Sequence, residues 1–183
     1  MSIQQKDESM STIHRYASLS GPAWLGDIHV AIGPKGITAV TMGDPLPDFL
    51  DYVERLTGGE VVPDPDALRP SLDRFQAYLE GDFSAIEMPV DWSLMTAFQR
   101  LVLKETSLIA AGSVSTYGEI ARRIGRPGGA RAVGQALRRN PMPMVIPCHR
   151  IVASDGSMCG FGGKEGTDRK RALLQHEGCP LVS

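Results

Sequence analysis

The most informative fold signal of this chain lies in residues 115–140, STYGEIARRIGRPGGARAVGQALRRN. Thr116 and Glu119 are spaced as a capping box, and this spacing predicts a helix that begins near Tyr117 and ends at Gly125. RPGG then predicts a turn, and ARAVGQALRRN predicts a second helix. Two short helices joined by a glycine-containing turn are typical of a helix-turn-helix, an outline that also occurs in other α-rich domains.

Helical patterns flank this stretch on both sides. TAFQRLVLKETSLI predicts a helix before it, and KEGTDRKRALLQHEG predicts the last helix of the chain. Between the second helix and the last one, ASDG predicts the tip of a hairpin. A helix-turn-helix followed by a hairpin is a winged arrangement, so we expect a winged helix-turn-helix domain over residues 93–183.

The sequence pattern of residues 1–92 predicts a smaller α+β scaffold domain. Residues 24–32 and 36–42 carry β-branched residues and alternation on both sides of a Gly-Pro-Lys-Gly turn, which predicts two strands. PLPDFLDYVERLT and SLDRFQAYLEGD have apolar residues at helical spacing. The prolines of VVPDPDALRP predict a loop, and AIEMPVDW predicts a third strand.

The composition is that of a globular protein, since 42% of the 183 residues are hydrophobic and 22% are charged. No window approaches 18 consecutive apolar residues, and the polar start lacks the apolar stretch of a signal peptide. We therefore expect a soluble intracellular protein, in the cytoplasm or, in a eukaryote, the nucleus. Three cysteines without paired spacing and four scattered histidines argue against a disulfide framework and a metal site. No cofactor motif is evident.

Charge is distributed unevenly along the chain. Residues 1–110 hold 8 Lys/Arg and 16 Asp/Glu, a balance of −8, whereas residues 111–183 hold 11 and 5, a balance of +6. Clustered arginines predict a nucleic-acid surface, and a merely solvated basic face is the alternative. The cluster consists of Arg122, Arg123, Arg126, Arg131, Arg138, Arg139 and Arg150.

The second helix of the helix-turn-helix carries unusually few large side chains. Gly134 costs roughly 1 kcal/mol relative to alanine in a helix interior. Together with Ala130, Ala132 and Ala136 it leaves a nearly bare face, from which Arg131 is the one long side chain to project. Such a face favours either close helix packing or close approach to a nucleic-acid groove.

The stretch IPCHRIV, residues 146–152, raises the possibility of a nucleophile. A free cysteine is only a few per cent thiolate at pH 7, so catalysis needs a neighbour that takes or offsets the proton. His149 is adjacent to Cys148, and Glu177 on the last helix would orient it. Buried cysteines are common, however, so spacing alone leaves a structural cysteine and a nucleophile both open.

The motif IPCHRIV is preceded by ARAVGQALRRNP and followed by GFGG and RKRALLQHEG. Together these stretches closely resemble the O6-alkylguanine-DNA alkyltransferases, also called methylated-DNA–protein-cysteine methyltransferases. The resemblance covers residues 96–178, including AFQRLVL and STYGEIA, and is diffuse over the N-terminal half. It implies an α+β fold in which a ribonuclease H-like N-terminal domain precedes a winged helix-turn-helix domain.

The resemblance implies a role for each matching residue of the active site. Cys148 is the alkyl acceptor, and His149 is its base through a water, held by Glu177. Tyr117 helps to rotate the target nucleotide and hydrogen-bonds the base. Asn140 is the hinge that links the recognition helix to the active-site turn.

The resemblance also implies two groups of substrate contacts. The recognition helix lies in the minor groove, and Arg131 enters the base stack in place of the flipped nucleotide. The DNA-binding group consists of Arg131, Tyr117, Ala130, Ala132, Gly134, Gln135, Arg122, Arg139 and Arg150. The substrate pocket includes Pro147, Phe161 and Gly162. Phe161 stands where many members have tyrosine, so the pocket wall is altered.

The function implied is DNA repair by irreversible transfer of the alkyl group from O6-alkylguanine, and by extension O4-alkylthymine, to Cys148. The product is a thioether with no regenerating nucleophile in the sequence, so we expect one turnover per chain. The expected partner is double-stranded DNA, bound with little sequence specificity by a monomer and without a membrane. Two other hypotheses remain: a non-enzymatic winged-helix DNA-binding protein that flags lesions or regulates transcription, and a cysteine hydrolase with a Cys-His pair.

Overall fold

The computed structural model describes residues 12–158 and 166–180. Its first part is a four-stranded sheet in the order β3-β2-β1-β4, with two helices. Strand β1 pairs antiparallel with β2 and parallel with β4, and β2 and β3 form an antiparallel hairpin. The elements are β1 (Ile13–Leu19), β2 (Ile28–Gly33), β3 (Gly36–Met42), α1 (Leu46–Thr57), β4 (Glu60–Pro63) and α2 (Pro65–Leu79).

The β2–β3 hairpin confirms the two predicted strands, although β2 begins at Ile28 rather than at residue 24. Gly36 follows the turn with a φ of 119°, a conformation that residues with a side chain rarely adopt. A Cβ at this position would lie 2.4 Å from the carbonyl oxygen of Pro89. The glycine therefore lets residues 89–90 run against the start of β3.

The strand predicted over residues 85–92 is wrong. Val90 forms only an isolated bridge with Ile37, and the chain then enters a short 3-10 helix, Trp92–Leu94. Asp91 caps that turn, since its carboxylate accepts a hydrogen bond from the amide of Ser93 at 2.9 Å. The apolar residues that suggested a strand instead pack individually against the core.

The loop predicted for VVPDPDALRP is also wrong, because this segment contains β4 and the first turns of α2. Pro65 occupies the first turn, where its missing N–H is not needed, and the Asp64 carboxylate caps Ala67 N at 2.9 Å. Pro70 lies inside the helix and removes one backbone hydrogen bond. Tertiary packing of the buried face offsets that loss; the buried residues are Leu68, Phe75 and Tyr78.

Strand β1 lies inside the sheet, although no strand was predicted over these residues. Its inward positions include polar or small residues: His14 is buried and hydrogen-bonds Thr38 Oγ1 at 3.1 Å. Ser18 Oγ lies 2.7 Å from His29 Nδ1 on the neighbouring strand. Because these polar groups are satisfied across the sheet, β1 tolerates burial without an apolar alternation.

The second part of the structure contains the predicted helices. The Thr116 side chain accepts a hydrogen bond from the backbone amide of Glu119 at 3.1 Å. Helix α4 therefore begins at Tyr117, as predicted. The Glu119 carboxylate contacts Ser115 and Arg123. The elements are α3 (Ala97–Ser107), β5 (Ser115–Thr116), α4 (Tyr117–Arg123), α5 (Ala130–Arg138), β6 (Ile151–Val152) and α6 (Gly166–His176).

Residues 153–157 form the predicted turn after β6. The backbone amide of Gly156 donates a hydrogen bond to the carbonyl of Ala153, and the amide of Ala153 donates one to the carbonyl of Ser157. Strand β6 pairs in parallel with β5, which ties this turn to the start of the helix-turn-helix. The fold is thus α+β, a sheet-containing part followed by a winged helix-turn-helix part.

One hydrophobic cluster joins the two parts of the chain. It contains sheet residues such as Val30 and helical residues such as Val102 and Ile120. A backbone hydrogen bond of 2.8 Å from Val40 N to Pro141 O connects β3 with the segment after α5. That bond places the sheet beside the turn that leads to Cys148. No helix among the described residues is long and apolar enough to cross a membrane.

Candidate active site

A tight turn carries the chain from α5 to Cys148. Asn140 holds both ends of this turn, since its Nδ2 donates to the carbonyl of Ile146 at 2.9 Å and its Oδ1 accepts from the amide of Met142 at 3.2 Å. Met144 lies between them with a φ of 70°, an uncommon conformation for a residue with a side chain. Asn140 therefore fixes where Cys148 stands relative to α5.

Cys148 opens a short 3-10 helix, Cys148–Arg150, directly after the buried Pro147. Its side chain is 8% exposed, and Asn140 Nδ2 donates to its Sγ at 3.1 Å. Burial raises the pKa of the Cys148 thiol, and the Asn140 hydrogen bond and the nearby Lys170 ammonium offset part of that rise. The resting cysteine is therefore a thiol at neutral pH and needs a base to become a nucleophile.

His149 and Glu177 form a buried pair next to this thiol. His149 Nε2 lies 2.9 Å from Glu177 Oε1, and neither side chain is exposed. Burial lowers the pKa of His149, against an opposing effect of the Glu177 carboxylate. The imidazole is therefore neutral at neutral pH, and its Nε2 proton is donated to the carboxylate. This leaves Nδ1 as the basic nitrogen.

Glu177 is ionised in spite of its burial. Burial acts to raise the pKa of this carboxyl, but hydrogen bonds from His149, Arg150 and Tyr78 outweigh it and hold the pKa well below its usual range. A carboxylate that accepts several charge-assisted hydrogen bonds is a rigid acceptor. Glu177 thus orients the imidazole and keeps its Nε2 protonated.

Arg150 belongs to this network, which corrects its assignment to the DNA-binding group. Its guanidinium is buried, with Nε 2.9 Å from Glu177 Oε2 and Nη2 2.7 Å from Glu177 Oε1. A third nitrogen, Nη1, donates to the carbonyl of Ile109. A side chain held in this way does not reach a phosphate. Arg150 instead neutralises the buried carboxylate.

Two residues near Cys148 were missed by the sequence analysis. Tyr78 donates its phenol proton to Glu177 Oε1 at 2.6 Å, and no sequence signal connects residues that are 99 positions apart. Lys170 is buried on α6, donates to the carbonyl of Ile151 and lies 5.8 Å from the centre of the Tyr117 ring. Lys170 precedes Leu173 and Leu174 by three and four residues, so helical periodicity places it on the inward face.

The contacts of α5 resolve the two interpretations of its small residues. Val133, Ala136 and Leu137 are buried against the core. Gly134 is half-buried, and a Cβ there would lie 3.7 Å from the Tyr117 ring. A side chain added at this position would thus contact Tyr117 of α4, while the glycine itself stays partly exposed.

The exposed face of α5 carries the other predicted residues. Arg131, Ala132 and Gln135 are exposed, and Ala130 is half-buried at the helix start. Arg138 and Arg139 are exposed at its C-terminal end. Arg131 therefore projects beside the small Ala132, and two further arginines are exposed at the C-terminal end of the helix.

The two α4 arginines differ in their surroundings. Arg122 is exposed at the end of α4. Arg123 pairs with Glu119 at 2.6 Å and with Glu105 at 3.4 Å. Its positive charge is therefore partly neutralised, whereas that of Arg122 is presented to solvent.

A cleft of about 730 Å³ connects Cys148 with the sheet-containing part. It is lined on one side by β3 and α1 and on the other by the C-terminal end of α5. Its wall includes Tyr117, Asn140, Arg139 and Cys148. Phe161 and Gly162, which were predicted to line the substrate pocket, lie outside the described residues. Among the described residues, no group of three or more His, Cys, Asp or Glu side chains could hold a metal ion.

Comparisons with known proteins place most of the chain beside one family. Residues 97–179 match the family model described as 6-O-methylguanine DNA methyltransferase, DNA binding domain. A methylated-DNA–protein-cysteine methyltransferase from Mycobacterium bovis is 43% identical over 116 residues, 63% of this chain and 68% of the relative. One from Mycolicibacterium paratuberculosis is 40% identical over 149 residues, 79% and 87% of the two chains.

The solved structures extend the likeness to the sheet-containing part. A crystal structure of Mycobacterium tuberculosis OGT in complex with DNA superposes with a TM-score of 0.73 at 33% identity, and the match covers 90% of this chain and 92% of that one. A second, of O6-methylguanine methyltransferase from the same organism, matches equally well. Sequence identity, coverage and fold therefore agree, and the chain belongs to the methylated-DNA–protein-cysteine methyltransferase family.

Proposed function

We propose that this protein repairs DNA by moving the alkyl group of O6-alkylguanine onto Cys148. One observation carries the proposal: a buried thiol stands beside a neutral imidazole that an ionised Glu177 orients. The thiol also lines the cleft at the end of α5, the helix with the exposed arginines. A nucleophile with its own general base, at the edge of a helix that faces DNA, suits a reaction on a nucleobase.

The target base has to leave the duplex before Cys148 reaches it, because the O6 substituent lies inside the base stack. Helix α5 enters the minor groove with its exposed face, and Arg131 occupies the gap that the extruded nucleotide leaves. Tyr117, half-buried at the start of α4, guides the nucleotide and hydrogen-bonds the base. Extrusion costs a few kcal/mol, which the stacked guanidinium and the groove contacts offset.

The transfer itself is a single displacement. His149 Nδ1 takes the thiol proton through a bridging water, and the Cys148 sulfur attacks the alkyl carbon. A carbon–sulfur bond forms while the carbon–oxygen bond to guanine breaks. Tyr117 gives a proton to the departing guanine, and solvent returns the imidazolium proton to the phenolate. Lys170 Nζ lies 5.8 Å from the centre of the Tyr117 ring, so a cation stands near the residue that donates this proton.

The reaction runs once per molecule. The product is a thioether, which lacks the ester or amide bond that a water molecule could hydrolyse. Cys148 and Cys179 are the free cysteines among the described residues, and Cys179 is buried directly after α6. The alkylated protein is therefore an end product.

DNA binding depends mainly on phosphate contacts and groove fit. Arg122 and Arg139 are exposed on either side of the helix-turn-helix and contact phosphates, which gives binding with little sequence preference. Residues 93–183 form the DNA-binding domain, and the acidic residues 1–92 form a scaffold domain that makes few phosphate contacts. The protein acts on the duplex as a monomer.

A transfer assay tests the proposed function. The protein is incubated with excess duplex DNA that carries radiolabelled O6-methylguanine, and label is then sought on protein peptides. We expect a plateau at one methyl group per chain, on the peptide that contains Cys148. Cys148→Ser should bind the same duplex and take up no label. Absence of transfer by the parent protein, or transfer that continues beyond one methyl group per chain, would contradict the proposal.

A further inference from the structure

Glu177 Oε1 accepts a hydrogen bond from a residue of the sheet-containing part. Tyr78, near the C-terminal end of α2, donates its phenol proton to this oxygen at 2.6 Å. The same oxygen accepts hydrogen bonds from His149 Nε2 at 2.9 Å and from Arg150 Nη2 at 2.7 Å. Three donors thus share one oxygen, and any change in one of them alters the other two.

The Tyr78 phenol is held in place from several sides. The side chain is fully buried, and its ring packs edge-on against Phe83 at a centroid distance of 5.4 Å. The ring of His176 lies 5.6 Å from it, and His176 Nε2 hydrogen-bonds the backbone carbonyl of Tyr78 at 3.0 Å. The phenol therefore keeps a fixed distance to Glu177.

The phenol acts only as a donor. Burial raises the pKa of Tyr78, and the neighbouring Glu177 carboxylate raises it further. The hydroxyl is therefore protonated throughout the pH range in which the protein works. Its proton has one strong acceptor within reach, the carboxylate that also binds the imidazole.

The charges around His149 come from three elements. Its own turn contributes Arg150 and the neutral Cys148. Helix α6 and the residue after it contribute the Lys170 ammonium and the Glu177 carboxylate, and α2 contributes the Tyr78 phenol. The carboxylate favours the protonated imidazole, and the two cations oppose it. A phenol that donates to Oε1 reduces the negative charge density that this oxygen offers to the imidazole, so it acts in the same sense as the cations.

We propose that Tyr78 is a positioning residue for the alkyl transfer: it holds the Glu177 carboxylate and weakens the attraction of that carboxylate for a proton on His149. The imidazole then stays neutral, and available as a base, down to a lower pH. This inference rests on the proposed function, in which neutral His149 takes the Cys148 proton. The sheet-containing part thereby sets the pH range over which the cysteine reacts.

Tyr78→Phe tests this role, since it removes one hydroxyl and keeps the packed ring. The single-turnover rate of methyl transfer is measured from pH 5 to pH 9. We expect the acidic limb of this profile to move to higher pH by at least about half a unit, because His149 becomes easier to protonate. Above the limb, the rate should return to within about three-fold of the parent rate.

Tyr16→Phe is the matched control. Tyr16 is a half-buried tyrosine of β1 that packs on the other face of the sheet, in the cluster of Ala31 and Phe49. Loss of its hydroxyl should leave the acidic limb where it is in the parent. A purely structural role of Tyr78 would lower the rate equally at every pH, and that result, or an unchanged profile, would overturn the proposal.

Two further measurements separate this inference from the proposed function. Replacing Tyr78 by 3-fluorotyrosine provides a more acidic phenol and a stronger donor, so the limb should move to lower pH. NMR titration of the His149 ring nitrogens should show a higher pKa in Tyr78→Phe than in the parent. This titration needs no alkyl transfer, so it supports or overturns the role of Tyr78 even if the parent protein takes up no label.

Discussion

At the scale of single residues, the buried pair of His149 and Glu177 makes stability depend on pH. His149 is neutral when folded and has a lowered pKa, whereas in the unfolded chain it titrates near pH 6.5. Glu177 is ionised when folded, with its pKa well below the unfolded value of about 4.3. In both cases the unfolded chain binds the proton more tightly, so acid favours unfolding.

We expect the free energy of unfolding to begin falling below about pH 6.5, where unfolded His149 takes up a proton, and to fall more steeply below about pH 4.5 through Glu177. Each extra bound proton contributes about 1.4 kcal/mol per pH unit. Urea denaturation between pH 8 and pH 4 measures this dependence. His149→Gln should have a shallower slope between pH 6.5 and pH 5, and a parent profile that is flat from pH 7 to pH 5 would contradict the assignment.

At the scale of elements, the contact between α5 and α4 predicts the effect of a methyl group at residue 134. The added Cβ of Gly134→Ala would lie in ordinary contact with the Tyr117 ring, at 3.7 Å. Alanine is favoured over glycine in a helix interior by up to about 1 kcal/mol. We expect a stabilised protein that binds undamaged duplex DNA with unchanged affinity.

Denaturant unfolding and a DNA-binding titration check this expectation together. Ala132→Val is a useful comparison, because Ala132 is exposed on the side of α5 that we propose faces DNA, and extra bulk there should weaken binding. If Gly134→Ala weakened binding as strongly as Ala132→Val, the glycine would serve close approach to DNA after all.

The elements of the helix-turn-helix were predictable because their signals are local. Thr116 caps α4, Gly125 ends it, and the apolar residues of α5 repeat at helical spacing. The start of α2 was not predictable, since Pro65 and Pro70 are read locally as loop residues. Its helix forms because a buried face packs on the sheet, and tertiary packing overrides weak local propensity.

The candidate site was predictable only as far as its family motif extends. Cys148, His149 and Asn140 lie within nine residues of one another, and Glu177 follows in the last motif. Arg150 was assigned to the DNA-binding group because a sequence shows charge but not burial. Tyr78 lies outside every motif, and only the packing of α2 brings it to the carboxylate.

At the scale of the whole molecule, the two adjacent arginines of α4 should differ in their effect on DNA binding. Arg122 is exposed, whereas Arg123 is paired with Glu119 and Glu105. We expect Arg122→Gln to weaken binding about equally on damaged and undamaged duplex and to reduce the slope of log K against log salt by about 0.9. Affinity titrations at several salt concentrations measure both quantities.

Arg123→Gln is the matched control for this prediction. The mutation removes the same charge from the same helix, but the charge is already balanced by two carboxylates, so the loss of affinity should be smaller. Equal salt slopes for the two variants, or a loss at Arg122 confined to damaged DNA, would contradict phosphate contact by Arg122.

Arg131 should matter only when a duplex has to be opened. It is the long cation on the exposed face of α5, and a guanidinium in the stack offsets a few kcal/mol of base extrusion. We expect Arg131→Ala to react slowly with alkylated duplex DNA, even at saturating DNA, and to dealkylate the free base O6-benzylguanine at nearly the parent rate. Single-turnover rates on both substrates test this, and an equal loss on both would make Arg131 a pocket or folding residue.

The reactive centre draws on residues that are 99 positions apart, and this spacing has a consequence for biosynthesis. A ribosome makes Tyr78 first, Cys148 next and Glu177 another 29 residues later, a delay of a few seconds at about 5–20 residues per second. Throughout that interval the nascent chain carries a cysteine whose neighbouring imidazole has no carboxylate to orient it. The oriented base is therefore the last part of the reactive centre that the growing polypeptide acquires, and an incomplete translation product that stops before α6 lacks it.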